Sequence, residues 1–395
     1  MVLSIEDVKH RLEQRGTIRK VRGIKASTPI RFVRSYGNDT MYLFQKDTQG
    51  IITSADDTLP LILGECGKAD FTSIPPNLEE WLTEMDAEIS AYLKSDEQLE
   101  VTEDTAADDR ISISPLIKSV WAQGSPFNNA LLLEGKNRFV GCNATAMGQL
   151  LRYYGVEGVN GVQYKRGCKK TPAYTTKTLG IKVDSMPAKA VFDYSRLTQK
   201  APTSAQSIST VSNFLAYCSK AITSDYKDTG TAAVPSNVAK VLESYFKMGK
   251  VEMIFASNGA AEFEERIYQE LINGYPVILN GYNDKTGHCF LCDGYANGKY
   301  HFNFGWGGSY DGYYTMSAIN PKKSTAYNDR KNAIIVHPVY QWGDSNQDGN
   351  VDISDVVKVV SDSLNGSNNP NSDVNNDGKV DKADPALLGR KIIGK

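Results

Sequence analysis

Histidine is scarce. The 395 residues contain four: His10, His288, His301 and His337. That count nearly excludes a zinc site built from several histidines, and no His-Glu-x-x-His run occurs. Long apolar runs are missing as well; none approaches the roughly 18 residues that a membrane span requires. Residues 1–20 do not read as a signal peptide, since Val2-Leu3-Ser4-Ile5 leads straight into Glu6-Asp7-Val8-Lys9-His10-Arg11. Charge of one sign is lacking too. With 44 basic and 46 acidic residues the formal charge is −2, without the electrostatic footprint of a nucleic-acid or anionic-membrane binder. The six cysteines (Cys66, Cys142, Cys168, Cys218, Cys289 and Cys292) are scattered rather than set out as a small disulfide framework. What is present is ordinary globular composition, 41% hydrophobic and 23% charged, in a chain long enough for two or three domains.

Residues 1–94 read as one α+β unit. Asn77 opens a helix with Glu80 as its capping-box partner, and Leu78, Trp81, Leu82, Met85, Ile89, Tyr92 and Leu93 recur at helical spacing. Thr17–Val21, Ile30–Arg34, Met41–Lys46 and Ile51–Ser54 alternate like short strands. Residues 95–109 hold seven acids and no basic residue, with Leu99 and Val101 as the large apolar side chains. Such a stretch cannot offset its ordering entropy, so 95–110 reads as an exposed acidic activation linker. Cleavage is expected within 95–111, with Arg110-Ile111 as one candidate bond; the plainer reading is a tether. Residues 111–342 suffice for a large core, with helices at 142–154 and 235–248 and strands near 276–281, 288–293, 299–304, 312–316 and 332–338.

Cys142 precedes Met147, Leu150, Leu151 and Tyr154 on one helix face, which puts it at the helix N-terminus. Unpaired N–H groups and the positive dipole end there favour a thiolate, lowering a pKa of about 8.5 toward roughly 3.5–7.5. The alternative is a buried structural cysteine. His288 opens an apolar strand directly after a glycine-bearing turn. His10 lies before the linker, His337 is followed by Pro338, and His301 alternates with Asn303, so His288 is the best base for Cys142, 146 residues downstream of it. Gln123, 19 residues before Cys142, can donate its side-chain N–H to an oxyanion together with the Cys142 backbone N–H. Asn303 is placed to orient the imidazole and Trp306 to shield the pair from water. Cys289-x-x-Cys292 lies within a strand, so its side chains face opposite ways and do not make a redox pair.

After Trp342 the composition changes: residues 343–395 hold nine Asp, no Glu and no aromatic residue. Asp344, Asn346, Asp348, Asn350, Asp352 and Asp355 have the spacing of an EF-hand loop, with Gly349 at the sharp turn. Asp373, Asn375, Asp377, Lys379, Asp381 and Asp384 repeat it 29 residues later, Lys379 serving through its backbone carbonyl. The competing reading is a solvated acidic tail.

Gly141-Cys142-x-Ala144-Thr145-Ala146, Gly287-His288-x-Phe290 and Asn303-x-Gly305-Trp306-Gly307-Gly308 resemble the streptopain family of papain-fold cysteine peptidases. Trp121-Ala122-Gln123-Gly124-x-Pro126-Phe127-Asn128, Phe192-Asp193-Tyr194 and Gly230-Thr231-Ala232 are similar to that family as well. The resemblance covers 111–340. It implies a papain-like α+β catalytic domain in a secreted, cell-surface or periplasmic bacterial endopeptidase, made as an inactive precursor with 1–110 as its propeptide. It also implies Cys142 as nucleophile, His288 as base, and Gly230, Thr231 and Gly287 bordering the substrate. Asn143 stands where the family carries an apolar residue, and Phe304 where streptopain carries a tryptophan. Each acidic loop resembles half of a type I dockerin over 343–395. That implies two structural Ca²⁺ ions and either a cohesin-like partner or packing on the chain's own peptidase domain. The expected function is peptide-bond hydrolysis by a Cys–His dyad after activation by another protease or by autoprocessing, with no cofactor for catalysis. The rival readings are an amidase using the same dyad and a calcium-dependent cell-surface binding protein with a vestigial peptidase domain.

Overall fold

The computed structural model describes residues 2–15, 29–94, 109–159, 162–282, 287–317, 331–338, 343–346, 351–367, 369, 371–375 and 377–394. The expected strand at Thr17–Val21, linker residues 95–108, and the expected calcium ligands Asp348 and Asn350 lie outside these.

In the N-terminal unit, α1 (Ile5–Gln14) starts at a capping box in which Ser4 and Asp7 exchange hydrogen bonds. Strands β1 (Arg31–Tyr36), β2 (Met41–Lys46), β3 (Gln49–Ser54) and β4 (Ile62–Cys66) form an antiparallel meander. Val8 and Leu12 of α1 cover one of its faces, against Phe44, Ile51 and Ile62. Helix α2 (Pro76–Lys94) follows, beginning one residue before Asn77.

The larger unit opens with a short ribbon, β5 (Leu132–Leu133) and β6 (Lys136–Asn137), and then α3 (Cys142–Val156). Helix α3 is buried on nearly every side, so its sequence is apolar or small all round rather than striped. Gly155 permits that packing: a methyl group there would sit 2.4 Å from the Tyr194 ring. The ribbon β7 (Tyr174–Thr175) and β8 (Lys182–Val183), helix α4 (Ala205–Ala221), the ribbon β9 (Asp225–Tyr226) and β10 (Thr231–Ala232), and helix α5 (Pro235–Ser244) complete the helical side. Then come β11 (Lys250–Phe255), α6 (Ala260–Ile272), β12 (Val277–Tyr282), β13 (Gly287–Ala296), β14 (Lys299–Asn303), β15 (Gly312–Tyr314) and β16 (Asn332–His337). The expected helices and strands of this unit are present at their expected places. Helices α4 and α6 and strand β11 were not anticipated.

One ten-stranded antiparallel sheet runs through both units, in the order β1-β2-β3-β4-β15-β14-β13-β12-β16-β11. The join is β4 with β15, where Gly312 pairs Cys66, Tyr313 pairs Glu65 and Tyr314 pairs Gly64. Strand alternation divides the core in two. Ile278, Leu291, Ile334 and Val336 face α3, α4 and α5, whereas Leu279, Cys292, Ala333 and Ile335 face α2 and α6. The second of these cores crosses the join: Trp81, Leu82 and Met85 of α2 share it with Phe263, Phe302 and Tyr314. Trp81 also donates its indole N–H to Thr315 O at 3.2 Å and meets the Tyr314 ring edge-on at 5.0 Å.

The C-terminal module has two helices, α7 (Ile353–Leu364) and α8 (Ala383–Ile393), around a small core of Val359, Val374 and Leu388.

Trp81→Ala removes a buried indole and its hydrogen bond from the shared core. It should lower the stability of the full chain by about 3–5 kcal/mol, read from the shift of its urea unfolding transition. A shift no larger than an exposed substitution gives would mean that α2 is not part of that core.

Candidate active site

Cys142 is the first residue of α3, and Gly141 before it has φ 89°, a conformation that suits glycine. Thr231 of β10 packs on Gly141 so closely that a methyl group there would lie 3.0 Å from its Cγ2. The expected substrate-side residue Thr231 therefore borders the Cys142 segment, tied down by its hydroxyl donating to Phe139 O at 2.6 Å. Gly230, next to it, has open space where a side chain would project. Gln123 is brought to the same place: its carbonyl accepts from Val140 N at 3.1 Å, two residues before Cys142.

His288 is at the start of β13, paired with Gly281 of β12, and Gly287 ends that pairing opposite Tyr282. Its ring is stacked on Phe290 at 6.0 Å and neighbours Phe304. Nε2 lies 3.3 Å from Phe304 O. A carbonyl only accepts, so Nε2 carries the proton of the neutral imidazole. Cys289 and Leu291, on the alternate side of β13, belong to the core around α3, and Cys142 packs there as well. Phe290 and Cys292 belong to the α2 side, which also settles that Cys289 and Cys292 diverge. No hydrogen bond joins Cys142 to His288 among the described residues.

Burial dominates the charge state of both. It raises the Cys142 thiol above its ordinary value, although backbone N–H groups, that of Cys289 foremost, pull the other way. The thiolate expected from the helix N-terminus is therefore not favoured in this arrangement, because the dipole is outweighed by desolvation. Burial likewise pushes His288 down to about 4, against the raising effect of the Phe304 carbonyl.

The other histidines are engaged elsewhere. His301 Nδ1 is 2.6 Å from Asp293 Oδ1, and His337 Nε2 is 2.6 Å from Glu270 Oε2. His10 Nε2 lies 2.7 Å from the Gln14 side chain. Asn303 does not orient His288. Its Nδ2 donates to Ser119 O at 2.9 Å, and its Oδ1 accepts from Gln149 Nε2 and Gly305 N, both at 3.1 Å. Gln149, fully buried on α3, also accepts from Trp121 N at 2.9 Å. Trp306 is 37% exposed and makes no ring contact with His288.

Three further residues matter here that the sequence reading did not single out for the site. Glu80, 4% exposed on α2, adds negative charge that raises the Cys142 thiol. Glu84 is beside it: a methyl group on Gly281, the pairing partner of His288, would be 3.1 Å from Glu84 Oε1 and 3.8 Å from Glu80 Oε1. Glu84 Oε2 is 3.0 Å from Lys331 Nζ. Asp311 accepts from Phe304 N at 2.9 Å and so fixes the backbone that His288 leans on; burial pushes its carboxyl up to about 7. Only the helical spacing of α2 hinted at any of these contacts.

In the C-terminal module, the second acidic loop is shaped by its own carboxylates. Asp373 accepts from Asp377 N and Gly378 N, Asn375 from Asp377 N, Asp377 from Lys379 N, and Asp381 from Ala383 N. Asp384, fully buried, accepts from Val374, Asn375 and Asp381 N. In the first loop Asp355 does the same for Asn346 and Asp352 N. Among the described residues no three acidic, His or Cys side chains gather into an ion-sized cluster. The donor set of carboxylate, amide and carbonyl oxygens on a glycine-turned loop nevertheless suits a hard cation such as Ca²⁺.

The state of His288 has a pH consequence. Its folded pKa of about 4 lies below the ordinary 6.5, so the unfolded chain takes the proton first on acidification. Its contribution to stability is complete above pH 6.5 and is lost as pH falls from there toward 4. His288→Phe, which keeps a stacked ring, should flatten that part of the pH–stability curve. An unchanged curve would mean that the imidazole is not buried neutral.

Residues 121–314 match the Peptidase C10 family, and residues 342–393 match the dockerin type I domain. The chain is 28% identical over 297 residues to the thiol protease/hemagglutinin PrtT of Porphyromonas gingivalis, covering 69% of this chain and 33% of that protein's length. It is 26% identical over 308 residues to streptopain of Streptococcus pyogenes, covering 71% of this chain and 75% of streptopain. A solved fragment of Prevotella intermedia prointerpain A superposes with a TM-score of 0.65 at 24% identity, covering 78% of this chain and 98% of that one; this likeness bears on the fold. The expected papain-like α+β architecture is the one found. Residues 121–314 thus carry a cysteine peptidase domain matching the Peptidase C10 family, followed by a type I dockerin domain over 342–393.

Proposed function

We propose that the chain is the latent precursor of a secreted or cell-surface endopeptidase in which Cys142 and His288 form the catalytic dyad. The observation that carries the reading is the placement of α2. It lies on the sheet face that holds the His288 ring, and it brings Glu80 and Glu84 against the strand pair bearing that residue. With the N-terminal propeptide unit in place, thiol and imidazole are both neutral and unjoined. Removing that propeptide uncovers the His288 side of the sheet, lets the ring turn toward Cys142, and takes away the Glu80 carboxylate that disfavours a thiolate. Cys142 then attacks a peptide carbonyl, the Gln123 side chain and the Cys142 N–H hold the oxyanion, and His288 protonates the leaving amine. Water hydrolyses the acyl-enzyme. Thr231 and Gly230, at the mouth beside Gly141, border the bound peptide, with Gly287 on the opposite side. Asn303 serves as a positioning residue through Gln149 and Ser119 rather than through the imidazole.

The C-terminal module is read as holding two structural Ca²⁺ ions, one in each acidic loop, and as docking on a cohesin-like protein. An exposed stripe of Ile353, Val357, Val360 and Leu364 on α7 supports the docking role.

Arg110 bears on where activation occurs. Its guanidinium lies 2.7 Å from Glu265 and 3.4 Å from Glu264, and 4.7 Å above the Tyr268 ring. Ile111 N donates to the Tyr268 hydroxyl, and Ile113 bridges Tyr295. The Arg110-Ile111 bond is thus held against α6, so we place the activating cut upstream, in the acidic linker.

Purified full chain should leave casein intact and gain activity after cleavage before Asp109, as N-terminal sequencing would show. Activity in an uncleavable precursor would contradict the latency. In the cleaved enzyme, Cys142→Ala and His288→Ala should each lower kcat/KM by several orders of magnitude, whereas His301→Ala and His337→Ala should retain most of it. Casein turnover by clean Cys142→Ala protein would remove Cys142 from its role, and cleavage of simple amides but not peptides would favour the amidase reading.

A further inference from the structure

The two acidic loops of the dockerin can be compared atom by atom, because they share one internal pattern. Asp355 and Asp384 are both fully buried. Their Oδ1 atoms accept from Asn346 N at 3.0 Å and Asn375 N at 3.1 Å. Their Oδ2 atoms accept from Asp352 N and Asp381 N, both at 2.9 Å. Asp352 and Asp381 in turn accept from Ser354 N and Ala383 N, both at 2.8 Å. Val359 and Leu388, in equivalent places, fill the small core.

At the first ligand position one loop carries a contact to the peptidase domain that, among the described residues, the other does not. Asp373 is half-buried and accepts from its own loop, from Asp377 N at 3.1 Å and Gly378 N at 2.9 Å. Asp344 is 1% exposed, and its Oδ2 lies 3.2 Å from Nη1 of Arg166, a residue of the peptidase domain with a side chain 3% exposed. Arg166 is held in that position by donating to Lys247 O at 3.3 Å and Lys165 O at 3.4 Å. The arginine belongs to the peptidase's own packing and reaches out to Asp344 of the first loop.

We propose that the Arg166–Asp344 pair docks the dockerin on its own peptidase domain in competition with Ca²⁺ at the first loop. This rests on the reading of both loops as calcium sites. A guanidinium bonded to a ligand carboxylate places a full positive charge next to the cation's seat and opposes its filling. Coupling of this kind is reciprocal, so a cation in the first loop weakens the Arg166 contact by the same factor. The second loop, whose Asp373 is bonded within its own loop, escapes the penalty. Calcium then acts in two stages. The second loop fills first and consolidates the module, and the first loop fills at higher concentration and frees the module from the peptidase.

The test is calorimetric titration of the metal-stripped full chain with calcium chloride, beside small-angle scattering at each stage. The expected result is two sites whose dissociation constants differ by about tenfold or more, with the maximum dimension of the particle increasing as the weaker one fills. Arg166→Gln should tighten the weaker site by about tenfold and close the gap, and Arg166→Lys, which keeps the charge, should leave it open. Equal affinities in the unaltered chain, or a gap that persists in folded Arg166→Gln protein, would overturn the proposal while leaving two calcium sites standing. No bound calcium at all would overturn both. Should Arg166→Gln fail to fold, the scattering titration of the unaltered chain decides, and a constant maximum dimension with both sites filled rejects the coupling.

Discussion

Backbone pairing between β4 and β15 is the constraint on which the rest of this molecule depends. Three residue pairs merge a four-stranded meander and a six-stranded peptidase sheet into one. Once they are joined, α2 has a single place to bury its apolar stripe, over β12 and β13, and Trp81, Leu82 and Met85 complete a core whose other half belongs to the peptidase. Neither half of that core is whole alone. The N-terminal unit is thus held by the same forces that hold the peptidase together, hydrophobic burial and a strand ladder, and not by a few surface contacts.

Helix dipole and desolvation compete at Cys142, and in this arrangement desolvation prevails. A peptidase dyad works as an ion pair, and an ion pair needs either solvent or its own partner nearby to be stable. Here the imidazole is stacked among aromatic rings on one side of β13, the thiol lies toward the core on the other, and α2 adds the Glu80 carboxylate. The two side chains proposed as the dyad are thereby kept in their uncharged forms by burial on opposite sides of one strand.

Much of this was legible in the sequence. Period-two and period-3.6 patterns located β2, β3, β12, β13 and β16 and the start of α3, because those elements are half-buried with consistent faces. The Cys142 and His288 segments stood out since so few histidines compete. Contacts between segments distant in the chain were not legible. Gln149 reads as an ordinary helix residue, yet it joins Trp121 to Asn303, itself 154 positions further along the chain. Glu80 looked like a capping residue, and its inward role appears only when α2 is laid on the sheet. Asn303 followed the expected order but spends its amide on Ser119, Gln149 and Gly305, since a buried amide takes whichever partners the backbone offers.

The brevity of β15 has its own consequence. Were the meander removed, as proposed, the peptidase sheet would gain a bare edge, and an unpaired edge is a template on which other chains can add strands and aggregate. Here the exposed ladder is Gly312–Tyr314, three residues long, with Asp311 immediately before it. So short a ladder offers little for an incoming strand to bind. The join is long enough to align two units and short enough that removing one of them would leave only three residues of ladder unpaired.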